Sequence, residues 1–364
     1  MAGAVQHPAP IRELETRDVE RIRREVLLSG EPAVLRGLVR DWPAVAAARR
    51  SAADLIAYLR QLDSGAAVDA IMTPPEVEGR IFYRDGLDGF NFVRNRLPLS
   101  AIAEQALRYA AHARAPAVAV QSAAIAECLP GFAAANPLPV AHPSSQPRIW
   151  LGNALTTPTH LDEWFNIGCV VLGRRRFTLF PPEQIANLYV GPLDYAPTGA
   201  PMSLVQLHAA DFERFPRFRE ALAQARAAEL GPGDALFIPP LWWHNVESLE
   251  PLNVLVNFWW HASGAALGTV SGYDSLLHAM LNIRHLPDPT RAAWRALFEH
   301  YVFGPQEKVT THIPEPRRGV PRHCGTSTSR TSMTTTSRPM ACSPIWSWNW
   351  WTGLAWLACS PTVP

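Results

Sequence analysis

Hydrophobic and polar positions change period several times along this chain. Between residues 11 and 27, Ile11, Leu14, Val19, Ile22, Val26 and Leu27 recur among charges at helical spacing, which predicts a helical lead-in over residues 1–24 and a little beyond. Residues 32–39 form a short β-rich run closed by Asp41-Trp42-Pro43. Residues 51–62 predict a helix with Ser51 as N-cap, and residues 100–112 predict a second. Residues 81–83 and 90–93 read as aromatic strands around an Asp-Gly turn.

From residue 148 to 180 the pattern is all-β. Residues 167–172 and 177–180 flank Gly173-Arg174-Arg175-Arg176, which predicts a hairpin ended by Pro181-Pro182. Residues 215–229 have helical spacing. The turn Gly231-Pro232-Gly233-Asp234 feeds an apolar run over 235–240, and residues 254–260 read as a further strand. Helical spacing returns over 270–303. The expected fold is mainly β with flanking helices at both ends of the chain.

Composition adjusts this picture only in part. The chain has 364 residues, 48% of them hydrophobic and 18% charged, which is enough to bury a sizeable core. Its formal net charge of +1 gives no electrostatic reason to expect nucleic acid or an acidic membrane surface as partner. No window approaches the ~20 apolar residues of a membrane span, and the N-terminus lacks the apolar stretch of a signal peptide. Cysteines 128, 169, 324, 342 and 359 form no CxxC pair and read as reduced thiols, so the expected location is cytoplasmic. The only lysine is Lys308, so no lysine in the β-rich region is at hand to hold an anion.

The last segment stands apart. Residues 320–364 contain no Asp, Glu or Lys; they are rich in Ser and Thr to residue 337 and then crowd five tryptophans into residues 345–356. Disordered tails are seldom so rich in tryptophan, and helices seldom so rich in Ser and Thr. We read this tail as aberrant, an out-of-frame continuation of a GC-rich gene, and set it outside the fold. An open continuation in a neighbouring frame of the gene is the expected finding; its absence would leave a genuine hydrophobic tail.

The chemistry-bearing residues are few. Thr157-Pro158-Thr159-His160-Leu161-Asp162 is answered much later by Trp242-Trp243-His244. Two histidines and one carboxylate suit a mononuclear non-haem iron site, which leaves one face of the metal open. His160 and Asp162, two apart, share a side of a strand. His244 must reach them from another strand. A His-x-Asp is common by chance and a histidine after two tryptophans is often a core residue, so the residues alone leave both readings open.

Several further strings sharpen the choice: Glu163 and Asn166 after the His-x-Asp; Gly173-Arg174-Arg175-Arg176-Phe177-Thr178-Leu179-Phe180-Pro181-Pro182; Gly231-Pro232-Gly233-Asp234; Trp242-Trp243-His244-Asn245-Val246-Glu247-Ser248; and Val256-Asn257-Phe258-Trp259. In this order they resemble the JmjC/cupin-like 2-oxoglutarate oxygenases, the group that includes the asparaginyl hydroxylase of hypoxia-inducible factor. The resemblance runs from about residue 25 to 265. It implies a double-stranded β-helix (cupin or jelly-roll) barrel over 25–265 and a helical C-terminal extension over 266–319. It implies Fe(II) held by His160, Asp162 and His244, and 2-oxoglutarate as cosubstrate. Arg175 stands where the family usually has a lysine for the cosubstrate's far carboxylate. Thr157 matches the hydroxyl donor, and Asn166, Asn257 and Gln121 match polar residues near the cosubstrate. One departure is Ala119, where the hydroxylase has a tyrosine; Tyr83 or a water is expected to replace its hydrogen bond.

The resemblance implies a hydroxylase that couples 2-oxoglutarate decarboxylation to C–H hydroxylation, acting on a protein or peptide side chain or a small molecule. Two rivals use the same residues: a non-catalytic cupin-like module, and a zinc cupin hydrolase or isomerase. The C-terminal helices are expected to pair two copies into a homodimer or to cap the barrel of a monomer. Trp164 reads either as the wall of a substrate mouth or as core, and Cys169 as a structural thiol.

Overall fold

Apolar side chains fill both faces of most central strands, so those strands must lie inside a layered β structure. The structure, a computed structural model, describes residues 8–197, 199–261, 271–305, 309 and 311–313, with the backbone of 348–349 and 354–355. The strands are β1 (Ala9–Pro10), β2 (Arg12–Leu14), β3 (Ala33–Leu35), β4 (Ala67–Thr73), β5 (Val93–Pro98), β6 (Ala117–Ala124), β7 (Gln146–Asn153), β8 (Thr156–Leu161), β9 (Phe165–Leu172), β10 (Arg175–Phe180), β11 (Arg226–Leu230), β12 (Ala235–Ile238), β13 (Trp243–Ser248) and β14 (Leu252–Trp260). The helices are α1 (Val19–Ile22), α2 (Pro43–Arg50), α3 (Ala52–Leu62), α4 (Leu99–Ala110), α5 (Ile125–Cys128), α6 (Phe132–Ala135), α7 (Phe218–Ala223), α8 (Gly272–Ile283) and α9 (Asp288–Phe298). Residues divide into two units, Met1–Val270 and Ser271–Pro364.

In the first unit the described strands make two sheets. The larger has the order β2-β3-β12-β9-β14-β7-β6-β4-β5, and the smaller β1-β11-β10-β13-β8. Val34, Val170, Leu236 and Leu255 of the larger sheet pack with Phe177, Leu179, Leu230 and Val246 of the smaller, so the two sheets face one another as in a jelly roll. The other face of the large sheet is covered by helices. Val45 of α2, Leu55 and Leu59 of α3, and Ile102 of α4 join Ile149, Leu151, Cys169 and Val171 in one core. Neighbours in β9 therefore serve different layers: Val170 points between the sheets, Cys169 and Val171 toward the helices. Burial pushes the Cys169 thiol well up, as befits a structural cysteine.

Local signals set the helix starts. The Ser51 side chain accepts a hydrogen bond from the Asp54 amide at the head of α3, as the sequence predicts, and Pro43 opens α2. In α4, Leu99, Ile102, Ala103 and Ala106 are buried at i, i+3, i+4 and i+7, the stripe of a helix packed on one side.

Four expectations are corrected. The Gly173 turn makes no hairpin: β9 pairs with β12 and β14 in the large sheet, whereas β10 pairs with β11 and β13 in the small one. Gly173, at φ +76°, is the corner where the chain changes sheet, and a Cβ there would lie 2.6 Å from the Leu252 carbonyl oxygen. Residues 226–230 are strand and not helix, because pairing with β10 and β1 overrides local propensity. The lead-in 1–24 is not wholly helical, since β1 joins the small sheet and β2 the large one before α1 begins. Residues 81–83 form no strand beyond a single Tyr83–Phe90 bridge.

In the second unit, Ser271 caps α8 through the Asp274 amide, and α9 follows after a short turn. The tail reading over 320–364 falls outside the described residues, apart from two-residue strands Trp348–Asn349 and Leu354–Ala355, which pair with each other. Among the described residues no helix is long and apolar enough to cross a membrane.

Candidate metal centre

Antiparallel pairing of β8 with β13 puts His160 directly opposite His244. The register shifts between His244 and Val246, so Pro158 and Thr159 stand together against Asn245. This bulge lets Thr157 and His160, three residues apart, share the inward face that a regular strand would deny one of them. Asp162 follows the end of β8, and its carbonyl accepts a hydrogen bond of 2.7 Å from Leu241 N, which ties the loop before β13 to the loop after β8.

The three side chains converge. The imidazole centroids of His160 and His244 are 4.2 Å apart, Asp162 Oδ2 is 3.6 Å from His244 Nε2, and one ligand atom from each residue falls within 4.8 Å of the others. Each histidine is oriented by its own strand. His160 Nδ1 lies 2.8 Å from the Pro158 carbonyl oxygen and His244 Nδ1 3.1 Å from that of Trp242. A carbonyl only accepts, so each Nδ1 carries the proton and donates, which leaves each Nε2 lone pair free for a metal.

Electrostatics fits a cation. Burial, with the neighbouring His160, pushes the His244 pKa well below 6.5, so its imidazole is neutral as a ligand must be. Burial also raises the Asp162 pKa, countered by His160 and by a hydrogen bond from Asn166. A carboxylate taken out of water here would gain what it lacks from a metal ion. The donor set of two nitrogens and one oxygen matches Fe(II), and the residues present fit the metal that the sequence implies.

Asn166 and Asn257 lie beside this trio. Asn257 Nδ2 donates to Asn166 Oδ1 at 2.6 Å, and Asn166 bonds to Asp162, so a chain of two amides holds the carboxylate. Gly168 leaves room for it: a Cβ there would already touch Asn257 Nδ2 at 3.4 Å.

Arg175 is the most unusual side chain of the interior. Only 8% exposed, it points between the sheets while Arg174 and Arg176 point out to Glu250, Glu229 and Glu247. Its Nε has no hydrogen-bond partner, and no ion pair to it is found among the described residues. Burial lowers its pKa to about 10, which keeps it charged at neutral pH. A buried, unneutralised guanidinium is a ready binding site for a carboxylate. Thr157 sits nearby on the same inward face, opposite Val246. Gln121 is half-buried, with an unpartnered Nε2 in a bulge of β6.

Tyr83 does not stand in for the missing tyrosine. Its hydroxyl donates to the Tyr195 carbonyl oxygen at 2.5 Å, and its ring packs edge-on to Phe82 and tilted against Phe90 and Tyr195. Ala119 packs with Ile71 and Ile81 and offers no polar atom. Residues to which the sequence reading gave no role also have buried polar atoms without partners: Trp150 Nε1 and Ser248 Oγ, and elsewhere Thr73 Oγ1, Ser122 Oγ and Asn253 Oδ1. Ser248 was accessible in principle, since it lies an even four residues after His244 on one strand. Trp150 is hidden in an apolar run.

The comparisons agree with this geometry. The family model described as a cupin-like domain matches residues 19–266. HSPB1-associated protein 1 of Homo sapiens is 37% identical over 147 residues, 40% of this chain and 30% of that protein. Lysine-specific demethylase JMJ31 of Arabidopsis thaliana is 37% identical over 117 residues, 32% of this chain and 21% of that protein. Jumonji C domain-containing protein 5 of Drosophila melanogaster is 36% identical over 119 residues, 31% of this chain and 27% of that protein. The chain thus spans less than a third of the length of these relatives. Two facing sheets, a buried His-Asp-His set and a family match over most of its length make this chain a member of the JmjC/cupin-like family.

Proposed function

We propose that this protein is an Fe(II)- and 2-oxoglutarate-dependent hydroxylase. The observation that carries the reading is the buried His160–Asp162–His244 set placed in one interior with the unneutralised Arg175. Fe(II) and 2-oxoglutarate, when bound, supply oxidative decarboxylation to succinate and carbon dioxide, with one atom of O2 entering a substrate C–H bond and the other entering succinate. His160, Asp162 and His244 would hold the metal from one side and leave the other open. Arg175 and Thr157 would take the far carboxylate of the cosubstrate. Asn166 and Asn257 fix Asp162, and the apolar walls of Phe177, Leu179 and Val246 keep water out.

A protein or peptide side chain is the proposed substrate class. It rests on the relatives, one of which is named as a lysine demethylase, and on a net charge that offers nothing to a nucleic-acid backbone. A homodimer through α8 and α9 belongs to the same proposal; Leu281 and Leu297 are among their exposed apolar residues.

Anaerobic titration of purified protein with Fe(II) and then 2-oxoglutarate tests the reading. The expected result is a visible metal-to-ketoacid charge-transfer band that is lost in Asp162→Ala. Metal binding without any response to 2-oxoglutarate would instead favour a non-catalytic module or a zinc enzyme.

A further inference from the structure

The register of the two sheets places three polar side chains at one depth below the His160–Asp162–His244 set. On the small sheet, Ser248 lies four residues beyond His244, and Arg175 lies four residues before Leu179, the residue that pairs with His244. Arg175 and Ser248 are themselves direct cross-strand partners. On the large sheet, Asn166, which bonds to Asp162, pairs with Trp259, and Trp259 pairs with Gln146. Trp150 lies four residues beyond Gln146 and packs against the core between the sheets. At ~3.3 Å per residue, each backbone sits roughly 13 Å along its strand from the level of His244 or Asn166, and the long arginine and indole side chains can shorten that distance.

Arg175 Nε, Ser248 Oγ and Trp150 Nε1 are all buried without a hydrogen-bond partner. One buried polar atom left alone is a local defect; three at one level, one of them cationic, describe a site for an anion. The family's tyrosine is absent here, because Ala119 occupies its place and Tyr83 is engaged with Tyr195.

Resting on the function proposed above, we propose that Trp150 and Ser248 complete the seat of the cosubstrate's far carboxylate: the indole N–H and the serine hydroxyl donate to it beside the Arg175 guanidinium, in place of the missing tyrosine. They are binding residues for 2-oxoglutarate and take no part in holding the metal.

The test compares wild type, Trp150→Phe and Ser248→Ala, all loaded with Fe(II) under anaerobic conditions. Each is titrated with 2-oxoglutarate and, separately, with 2-oxobutyrate, which keeps the keto acid but lacks the far carboxylate. Trp150→Phe should weaken 2-oxoglutarate about tenfold or more, and Ser248→Ala by a similar or smaller factor, as expected for hydrogen bonds to a charged group. Binding of 2-oxobutyrate should not change, and melting curves should show both variants folded. Equal loss for both keto acids would mean that Trp150 only packs, and would overturn the proposal. So would unchanged 2-oxoglutarate affinity in both variants. Failure of the wild type itself to respond to 2-oxoglutarate while binding metal would overturn the functional reading and this proposal with it.

Discussion

Replacing Arg175 with methionine separates the effect of this residue on the fold from its effect on a ligand. A fall in its pKa from the ordinary guanidinium value to about 10 means that burial disfavours the charged form by about 3 kcal/mol at 1.36 kcal/mol per pH unit. The folded-state pKa lies below the unfolded value, so this penalty is present in full at every pH below about 10 and fades only between there and the ordinary guanidinium range. Methionine has a comparable reach and no charge. In the cosubstrate-free protein, Arg175→Met should therefore stabilise the fold by about 1–3 kcal/mol, in line with other replacements of buried charge by apolar side chains. Binding should suffer in the opposite direction. Losing a buried charge pair costs about 2–5 kcal/mol, which corresponds to a 30-fold to several-thousandfold weaker affinity for 2-oxoglutarate. Thermal melts of the Mn(II)-loaded protein with and without 2-oxoglutarate read both effects. The wild type should gain stability from the cosubstrate and the variant should gain little. A variant less stable than wild type by more than about 2 kcal/mol without ligand would refute the reasoning, since Arg175 would then be holding the fold together. An undiminished response to 2-oxoglutarate would refute it as well.

Other consequences can be checked in parallel. Gly173→Ala should destabilise the protein by about 2–4 kcal/mol in urea unfolding, because the residue has positive φ and its Cβ would press on the Leu252 carbonyl; a change below ~0.5 kcal/mol would show that the corner can relax. Asn166→Ala should weaken Fe(II) or Mn(II) binding about 10- to 100-fold by freeing Asp162, with the overall fold intact by circular dichroism. Light scattering should give the mass of a dimer, and Leu281→Arg combined with Leu297→Arg should return it to a monomer; a wild-type monomer at micromolar concentration would end the dimer proposal.

The clustering of His160, Asp162 and His244 was legible in the sequence because its demands are local. His160 and Asp162 need one strand end and even spacing, and His244 needs only a second strand. The inward turn of Arg175 between two outward arginines also follows from strand alternation. What was hidden depends on long-range pairing. Nothing near Gly173 tells that the following strand leaves for another sheet, since a hairpin and a corner use the same turn residues. Arg226–Leu230 has a helical pattern locally and becomes strand only because β10 and β1 flank it. The roles of Ser248 and Trp150 are invisible in one dimension because a missing hydrogen bond is a property of the packed interior.

The clasp formed by Ala9–Leu14 has a consequence for synthesis. Ala9 pairs with Arg226 in one sheet while Leu14 pairs with Leu35 in the other, so β1 waits for a partner made more than 200 residues later. At ~5–20 residues per second, roughly 10–40 s of translation pass before β11 exists, and His244 leaves the ribosome later still. Until then neither sheet is complete, since the large one still needs β12 and β14, and the nascent chain exposes unpaired strand edges. Holdase chaperones should therefore raise the yield of folded protein, and slower translation, which lengthens the wait, should lower it.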